Sequence, residues 1–196
     1  MPRAKRVYLP GGVWHLTHRC HNREFLLKFK RDQNRWRYWL FEARRRYQLS
    51  VLNYVVTSNH IHLLVQDQGC ESIPRSMQLI SGRVAQEYNR RKSRKGAFWE
   101  DRYFATAVAT DHHLIKCLVY IDLNMVRAGV VSHPAQWNIS GYRDIQFPRE
   151  RYRVIDFEGL CRLTQVHTPE AFRRLHRNWV SEALEKGDTK RQPKWT

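Results

Sequence analysis

The chain has 196 residues, of which 35 are Lys or Arg and 18 are Asp or Glu, leaving a formal charge of +17. That length supports one domain, or one with an added terminal segment, and a core that needs no disulfide or metal to fold. A field of this sign attracts polyanions, while 42% hydrophobic and 12% aromatic content exclude a merely disordered basic tail. A membrane-spanning helix is not written here. The longest uncharged stretch, residues 47–66, contains Gln48, Ser50, Asn53, Asn59 and two histidines. The basic N-terminus is followed by Gly11-Gly12 and lacks the apolar segment of a secretory signal. The four cysteines, Cys20, Cys70, Cys117 and Cys161, form no C-x-x-C pair, so reduced thiols in a cytoplasmic protein are expected.

Along the chain, Val13 to Thr17 alternates apolar and polar residues and predicts a first strand. Asp32 is placed to cap a helix whose Trp36, Trp39, Leu40, Ala43 and Tyr47 recur at threes and fours. Val51 to Val56 and His60 to Val65 read as two strands joined by the turn Thr57-Ser58-Asn59. Residues 51–65 carry no Lys, Arg, Asp or Glu, as interior strands should. Ser72 opens a second helix with Ile73, Met77, Ile80, Val84 and Tyr88 as its buried stripe. Tyr103 to Ala109 predicts a fourth strand. A third helix, capped by Asp111, runs through Leu114, Leu118 and Ile121 until Gly129 ends it. Pro134 to Pro148 reads as loop, and Asp156–Leu163 and Pro169–Lys186 as two further helices before a frayed tail.

This order predicts an α+β fold: a ferredoxin-like split βαβ core with an antiparallel four-stranded sheet and helices on one face. Residues 1–145 are expected to form the core domain and 146–196 a helical C-terminal extension.

His60 and His62 sit two apart on a strand, so both imidazoles leave the same face and can share one divalent ion if a third group converges. Polar side chains in an otherwise apolar hairpin need a reason. Tyr120 and Asn124, four apart on a helix, share a face too. Taken singly, each pair is more often a satisfied structural feature than a site.

Together they resemble a known constellation. His60-Ile61-His62 is a His-hydrophobic-His (HUH) motif, and residues 119–129 (VYIDLNMVRAG) resemble the tyrosine helix of HUH single-tyrosine transposases, most closely the REP-associated tyrosine transposases. Asn59, the Arg19–Arg23 segment and Phe98 to Tyr103 agree with that likeness, which spans roughly residues 10–145. Asp122 and Met125 depart from it, Met125 standing where proline is usual.

The resemblance implies a metal-dependent single-strand DNA endonuclease and strand transferase. Tyr120 would be the nucleophile, forming a 5′-phosphotyrosine link, and His60, His62 and Asn124 the ligands of Mg²⁺ or Mn²⁺. It implies as partner single-stranded DNA with hairpin-forming palindromic repeats, no membrane partner, a cytoplasmic, nucleoid-associated bacterial location, and a monomer ahead of a dimer. Candidate DNA contacts are Arg3, Lys5, Arg6, Arg19, Arg23, Arg44, Arg45, Arg46, Arg90, Arg91, Lys92, Arg94 and Lys95. Two alternatives stay open: a hairpin-binding module that does not cut, and a metal-dependent nuclease that activates water. The second asks for acidic ligands near the histidines, and Glu100, Asp101 and Asp122 are the carboxylates with any claim.

Overall fold

The computed structural model describes residues 8–69, 71–109 and 112–187. Strand β1 (Val13–Arg19) lies between β3 (His60–Gln66) and β4 (Phe104–Val108), and β2 (Ser50–Val56) borders β3. The sheet order is β2-β3-β1-β4 and every pairing is antiparallel. Helix α1 (Lys30–Tyr47) connects β1 to β2, and α2 (Ser72–Arg91) connects β3 to β4, which is the ferredoxin-like arrangement.

Trp36, Leu40 and Ala43 of α1 and Ile73, Met77 and Ile80 of α2 recur at helical spacing and are buried. The other face is also covered. Helix α3 (His112–Asp122) packs there on β2 and β3, and α5 (Gly141–Gln146) and α6 (Phe157–Leu163) add to the cover on β2. The expectation of helices on one face is therefore corrected. Every residue of β2 and all but the first of β3 are buried, so both alternating sets of side chains need a partner layer.

Two local expectations change as well. Asp32 does not cap α1, whose N-cap is Phe29; it lies in the first turn and forms an ion pair with Arg91 at the end of α2. Asp111, the expected cap of α3, falls outside the described residues. The stretch expected as loop holds α5, capped by Ser140, whose hydroxyl accepts from the Arg143 N–H. Six residues are too few to show helical periodicity, but Gly141 is informative: a Cβ there would stand 2.0 Å from the Asn53 Oδ1. Only glycine lets α5 approach β2 so closely.

Helix α3 breaks at Leu123 and resumes as α4 (Asn124–Arg127). Backbone bonds from Leu123 N to Val119 O and from Arg127 N to Leu123 O carry the ladder across the break. Gly129, with φ +68°, stops it. The last helix, α7 (Pro169–Glu185), packs on α3 and α6, with Phe172 fully buried.

The sheet has two distinct ends. At one, His60 faces Arg19, and the α1 start meets the α2 end through Asp32 and Arg91. At the other, Ser50 faces Gln66 and α1 ends. No described helix is long and apolar enough to cross a membrane.

Candidate active site

The turn Thr57-Ser58-Asn59 delivers His60 to the first end. The Thr57 hydroxyl accepts from the backbone N–H of Asn59 (3.3 Å) and His60 (3.1 Å) and donates to the His60 carbonyl, fixing where β3 begins. The His60 Nδ1 lies 2.7 Å from the Asn59 Oδ1 and 2.9 Å from the Thr57 Oγ1. An amide oxygen only accepts, so Nδ1 carries the proton and Nε2 the lone pair.

His62, one pleat further in, is 3% exposed. Its Nδ1 lies 2.9 Å from the Nε2 of His15 on β1. Burial lowers the pKa of His15 to about 4 and drives that of His62 well below its ordinary value, so both rings are neutral near pH 7.

Tyr120 reaches the same place from α3. Its ring meets the His62 ring edge-on, centroids 5.8 Å apart, and meets His15 likewise at 6.2 Å. The guanidinium of Arg127 stands 4.1 Å over the Tyr120 ring and donates to the Tyr120 carbonyl. His60, His62, Tyr120, Asn124 and Arg127 line one cleft of about 520 Å³. Thr17, Arg19, Arg102 and the two-thirds exposed Phe104 extend its wall along the sheet.

The remaining described tyrosines have other employment. Tyr54 is buried against Arg37 and Asp144, Tyr8 and Tyr103 join their hydroxyls, and Tyr47 lies under Arg75. Tyr142 sits among His133 and His176, Tyr152 against Phe41, Tyr38 under Arg35 and Tyr88 against Phe98.

Of the three carboxylates, Glu100 and Asp101 border the cleft, whereas Asp122 does not. It is buried, accepting from His176 (2.7 Å) and Asn53 (2.9 Å). Among the described residues no three His, Cys, Asp or Glu side chains form a metal-binding group by themselves, so an ion beside the two histidines would need a donor of another type.

Residues 11–124, more than half of the chain, match the family model for IS200-like transposases. The chain belongs to that family. The matched region closes on Asn124, so it takes in both histidines and Tyr120. Among solved structures, a REP-associated tyrosine transposase bound to a REP hairpin matches with a TM-score of 0.58 and 21% identity, over 81% of this chain and 96% of that one. The fold is thus shared. A structure assigned as a transposase of Deinococcus radiodurans R1 matches with a TM-score of 0.43 and 18% identity, over 61% and 95% of the two chains. No curated protein matches the chain.

The transposase distributes its arginines unevenly about this cleft. Arg19 lines it, and Arg23 follows directly after β1. Arg90 and Arg91 form the last turn of α2, and Lys92, Arg94 and Lys95 follow it, at the end of the sheet where His60 lies. Arg91 there is held by Asp32, and Arg94 lies 3.6 Å from Glu24. Arg44, Arg45 and Arg46 lie at the opposite end, where Glu42 pairs with Arg45 and Arg46 and Arg44 donates to the Arg153 carbonyl. Arg3, Lys5 and Arg6 fall outside the described residues. Sequence reasoning missed His15, Thr17, Arg102 and Phe104. Arg127 was visible within the tyrosine-helix likeness, but nothing in its spacing announced a guanidinium above the nucleophile candidate.

Proposed function

We propose that this transposase cuts and rejoins single-stranded DNA beside hairpin-forming palindromes, with Tyr120 as nucleophile. The observation that carries the reading is the meeting of Tyr120 and His62 at 5.8 Å in a cleft that His60 and Asn124 also line. In the forward step the Tyr120 oxygen bonds to phosphorus while the bond to the 3′ oxygen breaks. The tyrosine gives up its proton and the departing 3′ oxygen gains one. The product is a 5′-phosphotyrosine and a free 3′-hydroxyl. A later 3′-hydroxyl reverses the exchange, so no ATP is needed. Arg127 sets a positive charge over the phenol ring, which would favour the anionic phenolate on attack and again on departure.

The residues fit a divalent ion. Both histidine Nδ1 atoms are engaged inside the protein, which leaves Nε2 as the ligating atom of each ring. Asn124 would add a neutral oxygen, and a small hard cation keeps its other positions for water and phosphate. Mg²⁺ or Mn²⁺ held there would polarise a non-bridging phosphate oxygen. With only neutral protein donors, the full 2+ charge remains available to that anion.

The DNA is inferred from the family, the +17 charge and the REP hairpin held by the structural neighbour. Phe104 is suited to stack an unpaired base beside the cut, and the basic residues after α2 to follow the backbone. Residues 1–145 form the catalytic unit in this reading. The helices beyond it hold the tyrosine helix within its own chain, which favours a monomer.

Incubation with end-labelled single-stranded hairpin DNA and Mn²⁺ tests the reading on a denaturing gel. Protein-linked DNA supports it. Free fragments alone would point to water as nucleophile, and a native gel shift without cleavage to a binding module.

A further inference from the structure

We infer that His15 is a positioning residue for the metal-ligand pair: its Nε2 accepts the Nδ1–H of His62 and so presents the His62 Nε2 lone pair to the cleft. The inference rests on the reading of His60 and His62 as metal ligands.

The geometry is that of a hydrogen bond in the plane of both rings. The two planes differ by 15° and the centroids stand 5.0 Å apart, while the nitrogens approach to 2.9 Å. The centroid separation exceeds the nitrogen separation by about two ring radii, so the rings meet edge to edge rather than face to face. Strand register builds this contact. Thr17 of β1 pairs with His62, so His15, two residues earlier on the same face, is its diagonal neighbour.

Neutral imidazoles each have one N–H and one lone pair, so one ring of the two donates and the other accepts. If His15 donated, His62 would carry its proton on Nε2, facing the cleft, and could not ligate. Only the reverse assignment makes His62 a ligand. His15 is 1% exposed, and an acceptor in that position is not replaced by solvent. His60 has its own anchor in Asn59 and Thr57, so each proposed ligand has its Nδ1 held by a different strand or turn. A carboxylate in place of His15 would orient His62 as well, but would bring a negative charge towards the phosphate. A neutral imidazole orients without that cost.

The test uses Mn²⁺ alone, titrated into the DNA-free full chain and followed by the electron paramagnetic resonance signal of the unbound ion. His15→Phe keeps a flat ring without an acceptor and should weaken Mn²⁺ binding about 10- to 100-fold. His15→Gln, which returns a carbonyl acceptor, should recover part of the loss. Hairpin affinity measured in EDTA should stay unchanged in both variants. His62→Ala serves as the reference: loss of Mn²⁺ binding there, with none in His15→Phe, overturns the role of His15 and leaves the metal reading standing. Undiminished binding by His62→Ala overturns the metal reading itself. Should His15→Phe fold poorly, nitrogen-15 NMR of the unaltered protein decides. A His62 proton on Nδ1 supports the assignment, and one on Nε2 overturns it.

Discussion

Asp122 and His176 meet at 2.7 Å with both side chains wholly excluded from solvent. The first lies between Tyr120 and Asn124 and the second on α7, so the contact fastens the C-terminal helix to the segment that carries the proposed chemistry. The donors and acceptors close as a chain. Arg177 donates to the Gln146 Oε1, Gln146 Nε2 donates to the His176 Nδ1, and His176 Nε2 donates to Asp122. Asn53 on β2 satisfies the other carboxylate oxygen.

His176→Ala strips a buried carboxylate of one of its two donors and leaves a cavity, which should cost about 3 kcal/mol or more. His176→Gln keeps a donor of similar reach and should cost distinctly less. Urea denaturation measures both. A loss under about 1 kcal/mol for the alanine variant would show that the contact holds nothing in place. Cleavage by any folded fraction should also slow, because the register of Tyr120 and Asn124 depends on this contact.

The two ends of the sheet give opposite expectations for the arginine clusters. Replacing Arg90, Lys92 and Lys95 by Gln should weaken DNA binding and flatten its salt dependence by roughly 0.9 in log–log slope per lost phosphate contact. The triple change at Arg44, Arg45 and Arg46 should leave the slope nearly intact, since that cluster lies away from the cleft and two of its members pair with Glu42. Fluorescence anisotropy across a salt series separates the cases, and equal slopes for the two triple variants would contradict this placement.

That contrast marks what a sequence can and cannot reveal. Strand alternation and helical spacing are local, so the four strands and the long helices were legible from the residues themselves. His60 with His62 was legible for the same reason, and Tyr120 with Asn124 because the helical ladder carries across the break at Leu123. His15 was not, because its partner lies 47 residues away and only strand register brings the rings together. Arg44 to Arg46 read as a basic patch in sequence, yet the end of the sheet they occupy is a tertiary fact. Asp32 shows the same limit: a capping residue by position, it is claimed by an arginine 59 residues on.

Stability should depend on pH through Glu87. Hydrogen bonds from Arg35, at 2.6 and 2.7 Å, hold its carboxyl below the ordinary 4.5. A folded-state value depressed in this way contributes stability above the unfolded pKa and loses it as pH falls through the lower folded value. Glu87→Gln should therefore cost about 1 kcal/mol or less at pH 7, given the partial exposure of both partners. Its melting temperature should converge on the wild-type value as the pH falls through the depressed folded-state value. A gap that persists at low pH would assign the effect to packing rather than charge.

Removing the proposed ligands should separate binding from cutting. His60→Ala and His62→Ala should abolish cleavage in Mg²⁺ or Mn²⁺ while hairpin affinity changes little, because phosphate contacts supply most of it. Asn124→Ala should retain partial activity, since water can replace a neutral oxygen. EDTA should mimic the histidine variants. Cleavage at the wild-type rate by His62→Ala would remove the metal from the mechanism.

Tyr120 is the assignment on which the rest depends. Its ring is 5% exposed and packs on His15 and His62, so Tyr120→Phe preserves the packing and removes only the hydroxyl. The variant should melt within a few degrees of the wild type, bind hairpin DNA with similar affinity, and form no covalent adduct. Arg127→Gln should still form the adduct, but about 10-fold or more slowly, because the positive charge over the ring is gone. Trapped adduct digested with trypsin should carry DNA on the peptide between Lys116 and Arg127. That peptide contains one tyrosine, so the mass alone identifies the residue. DNA on a peptide holding Tyr8 or Tyr103 would move the nucleophile to the other side of the sheet edge. Adduct formation by Tyr120→Phe would have the same force, since Tyr120 is the tyrosine that lines the cleft with His60 and His62.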